Sequence, residues 1–431
     1  MHNLEANLAL QYKRRNMDVK LDLFLPALKA ALKNEKVSWD MELTPENWME
    51  LFKTANIHHV LPMIYEAVYG CPSARTLEPQ LSMSYKRMTI REVMMQAMKT
   101  GEFLQLYQQL QKAGVKPLVV KGIICRCLYP NPDYRMSGDE DILIDKEQFE
   151  ACHKAMLEYG MQLSDPEKDI QTAYEIPYGK PGSPIYIELH KNLFPPESEA
   201  YGDMNRFFEE VHCRAVKVSV EGKEIYTMEP SDHLFYLICH AFKHFLHSGF
   251  GIRQVCDITL FANVYGEKID WMKVLRQCRK IHADLFAAAL FQIGEKYLTF
   301  DPEAACYPKV WRSIRIDERM MLDDLMDAGI YGDGTMSRKH SSNITLNAVS
   351  AQKQGKRSGN HVLKTVFPPL QQMEARYPYL KEKPYLLPAA WISRILKYRK
   401  EISSGTNNDA AESIQIANQR IELMKQYGII K

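Results

Sequence analysis

The sequence predicts an α+β fold: a mixed β-sheet core with helices over 113–230, flanked by an N-terminal helical region (1–112) and a C-terminal helical region (231–431). Three observations predict it. Apolar residues recur at helical spacing through most of the first hundred residues. Short runs rich in valine and isoleucine, bounded by glycine and proline, then appear among helical patterns. After Pro230 the helical spacing returns.

Each element has its own signal. "LDLFLPALKAALKN" carries apolar residues at helical spacing. "LTPENWMELFKTANIHHVLPMIYEAV" opens with Thr44 placed to cap a helix and Pro45 at its first position, with Glu46 in the first turn. A long helix runs from about Met83 to Gln111 and stops at Gly114. "KPLVVKG" (116–122), "DILID" (141–145) and "PIYIELHKNL" (184–193) read as buried strands, and "EQFEACHKAMLEYGM" (147–161) as a helix between them. "AVKVSVEGKEIYTM" (215–228) reads as a hairpin turning at Glu221-Gly222. The next helix starts with Ser231 or Asp232 as its cap. Residues 327–360, poor in apolar side chains and rich in Gly, Ser and Lys, read as a flexible loop.

The chain has 431 residues, enough for two to three domains, with 46% hydrophobic and 25% charged residues and a net charge of +2. That balance gives no bulk attraction to nucleic acid or membrane. No apolar run approaches the roughly 20 residues a membrane helix needs, and the N-terminal stretch lacks a basic-then-apolar targeting pattern. Nine scattered cysteines, none in C-x-x-C spacing, are those of a reduced protein. The expected location is the cytoplasm.

The chemistry concentrates in "RMSGDEDILI" (135–144). On a strand, Asp139 and Asp141 point to one face and Glu140 to the other. By this logic Glu140 faces away and is replaceable. Two carboxylates on one face repel each other unless a cation joins them, and Mg²⁺ binds one or two carboxylates together with substrate phosphates. Glu188, a charge inside the apolar strand "YIELH", is the candidate third acid. Upstream, "LVVKG" leads a strand into a helix at Gly122, where backbone N–H groups can meet phosphate. Lys121 and Arg135 are placed to neutralise a triphosphate, and Ser137 and Gly138 form the turn that feeds the acidic strand.

This order of motifs resembles the nucleotidyltransferase superfamily that includes DNA polymerase β, poly(A) polymerases and kanamycin nucleotidyltransferases. More closely, the chain resembles a bacterial group, the uncharacterised NTP_transf_5 nucleotidyltransferases. That group shows "KG…LYP…R…GDIDLLV", then "ELH", then a helix rich in histidine and aromatics. Here these read "KGIICRCLYPNPDYRMSGDEDILI", "IELHKNL" and "HLFYLICHAFKH", and the likeness runs from about residue 40 to 400. The resemblance implies a nucleotidyltransferase-type mixed sheet and metal ligation (Mg²⁺ or Mn²⁺) by Asp139, Asp141 and Glu188. It implies an NTP substrate, with Glu188 helping to activate the attacking hydroxyl and Gly122 lining the phosphates. Two features depart from the superfamily. Ile123 stands where it has a small residue, and the interval from Gly122 to Asp139 is longer than in compact members.

The helix "HLFYLICHAFKHFLH" brings His240 and His244 to one face with Lys243 nearby. Three readings stay open. The histidines are hydrogen-bonded core residues; or the helix closes the nucleotide cleft, with Lys243, His244, Arg253 and Asp257 as contacts; or His240 and His244 bind zinc. The leading expectation is a Mg²⁺-dependent nucleotidyltransferase acting on a hydroxyl of a small molecule or protein, with RNA disfavoured because no basic arm is present. The alternatives are a catalytically inactive nucleotide-binding or interaction module of the same fold, favoured by Ile123, and a zinc-dependent hydrolase built on the His240/His244 helix.

Overall fold

The structure, a computed structural model, describes residues 21–39, 42–329, 336–354, 377–403 and 410–431, with three single positions between 367 and 373. The N-terminal stretch read for a targeting signal lies outside the described residues. Among those described, no helix is long and apolar enough to cross a membrane.

Four helices lead in: α1 (21–32), α2 (Pro45–Ile57), α3 (Leu61–Val68) and α4 (Pro79–Lys112). Thr44 caps α2 as its sequence predicts. Its hydroxyl accepts from the Asn47 N–H, and the Asn47 side chain returns the bond to the Thr44 N–H. The 34-residue α4 then meets the sheet, where the Tyr107 hydroxyl donates to the Pro117 carbonyl and accepts the Tyr226 N–H.

The sheet has seven strands: β1 (Leu118–Val119), β2 (Glu140–Leu143), β3 (Gln162–Leu163), β4 (Glu175–Gly179), β5 (Tyr186–His190), β6 (Val216–Val220) and β7 (Lys223–Thr227). Their spatial order is β3-β4-β5-β2-β1-β7-β6. β2 runs parallel to β5 and antiparallel to β1, and β1 runs parallel to β7. The sheet is therefore mixed, with the acidic strand at its centre. Helix α5 (Gly122–Arg126) follows β1, and α6 (Phe149–Glu158) follows β2. The β6–β7 hairpin turns at Glu221 (φ 48) and Gly222 (φ 74). Positive φ at both central residues is what a two-residue turn needs to match strand twist.

Strands β3 and β4 have no counterpart in the sequence reading. Pro177 and Gly179, residue types disfavoured inside strands, mask β4 in the sequence. The Pro177 carbonyl accepts the Ser164 N–H (3.0 Å), so this residue still joins β4 to β3 without an N–H of its own.

The helical part continues with α7 (Pro230–His247), α8 (Ile252–Tyr265), α9 (Trp271–Lys280), α10 (Asp284–Tyr297), α11 (Lys309–Arg312) and α12 (Glu318–Ala328). The cap of α7 is Glu229, not Ser231 or Asp232. Its carboxylate accepts from the Ser231 and Asp232 N–H groups, and Pro230 fills the first helical position. His233 is fully buried on α7 and donates to the Val120 carbonyl (2.6 Å), tying this helix to the sheet.

The loop expected at 327–360 is instead largely helix: α13 spans Met336–Lys353. It packs against α7 and the C-terminal helix α15 (Ala410–Gln426), which follows α14 (Leu387–Ser403). Ile344, Ala348 and Val349 are buried, Arg338 pairs with Asp324 (2.6 Å), and the Thr345 hydroxyl donates to the Leu246 carbonyl (2.8 Å). Tertiary packing thus supplies the stability that the polar composition withholds. Residues 330–335 and 355–360 of that expected loop lie outside the described residues. Most buried apolar side chains, from Leu21 to Ile430, form one core, and Met373, Leu380 and Ala390 form a small second cluster.

Candidate functional site

The site forms where β2 and β5 lie side by side. Their parallel register sets Asp141 opposite Glu188 and Leu143 opposite His190. Paired residues share a face, so Asp141, Glu188 and His190 converge. The antiparallel β4–β5 ladder adds Glu175 opposite His190 on that same face. Asp139 sits half-buried just before β2 begins.

Asp141 is the hub. Its Oδ2 lies 2.7 Å from Lys121 Nζ, and its Oδ1 lies 3.1 Å from His190 Nε2. His190 Nε2 is also 3.8 Å from Glu188 Oε2. Lys121 Nζ donates to His240 Nε2 (3.2 Å), and His244 Nε2 lies 3.3 Å from His240 Nε2. Asp141, Glu188 and His190 each offer a ligand atom within 4.8 Å of the others, the single grouping of at least three potential ligands that could hold a metal ion among the described residues. The His240/His244 pair is not part of it. That pair borders Lys121, which does not suit the zinc-hydrolase alternative.

The electrostatics follow from burial and charge. Burial alone would raise the Asp141 carboxyl, but the Lys121 ammonium and the His190 hydrogen bond outweigh it and hold it well below the usual range. Burial likewise disfavours the Lys121 ammonium, and Asp141 and Asp139 reverse that, holding it charged well above its ordinary value. Burial, then the Asp141 and Asp139 charges, push Glu188 up to about 8. Burial and the Lys121 charge keep His240 neutral, far below its ordinary value; burial and Lys243 do the same to His244. Lys243 is half-buried and pulled down by burial, with Glu175 acting against it. It forms no ion pair among the described residues.

The remaining predicted contacts are placed differently. Glu140 does face away from Asp141, but it is not replaceable surface. It is 0% exposed, its Oε1 meets Arg126 Nη1 at 2.5 Å, and its Oε2 accepts the Ile123 N–H at 2.8 Å. A Cβ on Gly122 would fall 1.8 Å from Glu140 Oε2, so this glycine, at φ +43, is required by that carboxylate's approach. The Ile123 N–H, expected to face phosphate, already serves Glu140.

Arg135 was expected to neutralise triphosphate. It is 2% exposed and bonded through Nε and Nη2 to both Asp257 oxygens (2.8 and 2.6 Å). Tyr129 also donates to Asp257 (2.8 Å), so Arg135 and Asp257 brace the core instead of lining the cleft. Ser137 is held by α4 and α5. Its hydroxyl accepts from Arg126 (2.8 Å), its N–H donates to Gln96 Oε1 (2.9 Å), and its carbonyl accepts from Lys99 (2.8 Å). Arg253 donates to the Met136 carbonyl in the same turn, which leaves Gly138 exposed at its tip. Arg253 and Ser137 therefore fix the turn that delivers Asp139.

His190 and Glu175 were missed. His190 had a signal in "YIELH": two residues after Glu188 is the same strand face. Glu175 had none, because no sequence signal marks its strand, β4.

Residues 44–299, more than half of the chain, match the family described as uncharacterised nucleotidyltransferase, NTP_transf_5. No curated protein matches the sequence. Two solved structures overlap it in part. One is an antigenic nucleotidyltransferase-like protein from Paracoccidioides brasiliensis: 13% identical, covering 48% of this chain and 95% of its own, TM-score 0.29. The other is JHP933 from Helicobacter pylori: 17% identical, covering 53% of this chain and 93% of its own, TM-score 0.27. Overlaps at that level carry no argument, but the family match stands on its own and agrees with the acidic strand at the centre of a mixed sheet: this chain belongs to the uncharacterised nucleotidyltransferase family NTP_transf_5.

Proposed function

We propose that the protein moves a nucleotidyl group from an NTP to a hydroxyl of a small-molecule or protein acceptor, with residues 113–230 as the catalytic unit. A divalent cation, Mg²⁺ or Mn²⁺, is held by Asp139, Asp141 and Glu188. The observation that carries this reading is the β2–β5 register, which sets Asp141 beside Glu188 across parallel strands. The donor set fits a cation. Burial first, then the Asp141 and Asp139 charges, push Glu188 up to about 8, and a bound cation would favour its ionised form. When bound, the cation neutralises triphosphate charge and makes the acceptor hydroxyl a better nucleophile.

The chain's own residues do the rest. Lys243 supplies the ammonium free to meet phosphate, and Lys121 keeps Asp141 ionised and oriented. Glu188 takes the proton of the acceptor hydroxyl. The neutral His240 and His244 line the wall supplied by α7. An NTP substrate places the reaction in the cytoplasm, which agrees with nine free cysteines. The near-zero net charge disfavours an RNA acceptor.

Asp139→Asn combined with Asp141→Asn should abolish divalent-dependent pyrophosphate release across a panel of NTPs and acceptors. Retained release would refute the site. One observation favours a second reading, a nucleotide-binding module without turnover: the Ile123 N–H at the phosphate turn is already taken by Glu140. Calorimetric NTP binding with no pyrophosphate release over the whole panel would select it.

A further inference from the structure

We propose that His190 is itself a metal ligand, so that the site is a mixed imidazole–carboxylate centre that selects Mn²⁺ over Mg²⁺. The inference rests on the proposed transferase reading for the place of the cation and goes beyond it in the donor atom and the ion.

The geometry assigns each atom. Lys121 Nζ sits 2.7 Å from Asp141 Oδ2, so a cation would take Oδ1 in place of the hydrogen bond which that oxygen accepts here. That oxygen is the one His190 Nε2 approaches, at 3.1 Å, while Glu188 Oε2 stands 3.8 Å from the same nitrogen. Imidazole, Asp141 and Glu188 thus converge on one point through β2 and β5, two strands locked by ladder hydrogen bonds.

Two further features distinguish His190 from an ordinary core histidine. It is 3% exposed, yet its Nδ1 has no hydrogen-bond partner among the described residues. The group facing that nitrogen is Glu175 Oε2, at 3.8 Å, brought there by the β4–β5 register. A carboxylate behind one imidazole nitrogen with the other aimed at the metal position is the arrangement that fixes the tautomer of metal-bound histidines. A small inward shift of Glu175 would complete it. Imidazole is a poor ligand for Mg²⁺, which takes oxygen donors in strict octahedra, and a better one for first-row transition ions.

The test uses the full chain with Mn²⁺ alone and no nucleotide. Electron paramagnetic resonance counts bound Mn²⁺, and electron spin-echo modulation detects a directly bound nitrogen. One bound Mn²⁺ with an imidazole nitrogen signal is expected, displaced by Mg²⁺ only in more than tenfold excess. His190→Gln, checked for folding by circular dichroism, should lose the nitrogen signal. Glu175→Gln, a milder change, should keep the signal and weaken Mn²⁺ by roughly 10–100-fold. Mn²⁺ bound by the parent protein without a nitrogen signal overturns the inference and leaves the transferase reading standing. A signal that survives in folded His190→Gln, or displacement by equimolar Mg²⁺, also overturns it. No bound Mn²⁺ at all overturns both readings.

Discussion

Removing the charge of Glu140 should unfold the protein more readily than removing either site aspartate. Glu140 and Arg126 are 0% and 1% exposed, paired at 2.5 Å. Glu140→Leu would strand the Arg126 guanidinium in the core and leave the Ile123 N–H without its acceptor. Breaking a buried pair from one side costs about 3–5 kcal/mol, and the orphaned N–H falls within the same penalty instead of adding to it. With a urea slope of about 3 kcal/mol per M, the midpoint should fall by about 1–1.7 M. Arg126→Met alone should cost a similar amount, whereas the double variant should recover most of it, because an apolar pair of similar volume carries no desolvation penalty. The cycle should therefore return a coupling of about 5 kcal/mol or more, the two single losses less the small loss of the double variant.

The sign of the pH dependence is fixed too. Burial alone would raise the Glu140 carboxyl, but Arg126 and Lys99 outweigh it and the folded value lies below the ordinary one. Its contribution is thus complete above the unfolded carboxylate value of about 4.3 and is lost as pH falls through the folded value. The gap between parent and Glu140→Leu should narrow in acid. A Glu140→Leu midpoint within about 0.2 M of the parent at neutral pH, well inside the shift expected for a buried pair, would refute this reasoning and return Glu140 to the replaceable surface that strand alternation alone suggests.

Other predictions follow from the same geometry. Gly122→Ala should destabilise by roughly 1–3 kcal/mol from backbone strain alone, with further loss from the clash with Glu140, read as a drop in thermal midpoint. Arg135→Met should cost about 3–5 kcal/mol in urea unfolding by stranding the buried Asp257 charge. Lys243→Met should leave the thermal midpoint nearly unchanged, since the ammonium has no ion pair to lose among the described residues. It should weaken NTP binding in calorimetry by about tenfold or more, the worth of one charged hydrogen bond to phosphate.

Local order determined much of this protein from the sequence alone. Period-two alternation put Asp141 and Glu140 on opposite faces. Thr44-Pro45 set the start of α2, and Glu221-Gly222 set the hairpin turn. These signals act over a few residues, so one chain segment contains them whole. What the sequence left open were pairings across long intervals. Arg135 and Asp257 are 122 positions apart, and both carry charges suited equally to a cleft or a core. Glu140 finds Arg126 only because α5 folds back beneath β2. Glu175 joins the site because β4 pairs with β5, a strand identity hidden by Pro177. Helix α13 exists because α7 and α15 offer it a surface, not because its own residues favour helix. A carboxylate's role depends on which cation the fold brings within a few ångströms, and only the tertiary structure decides that distance.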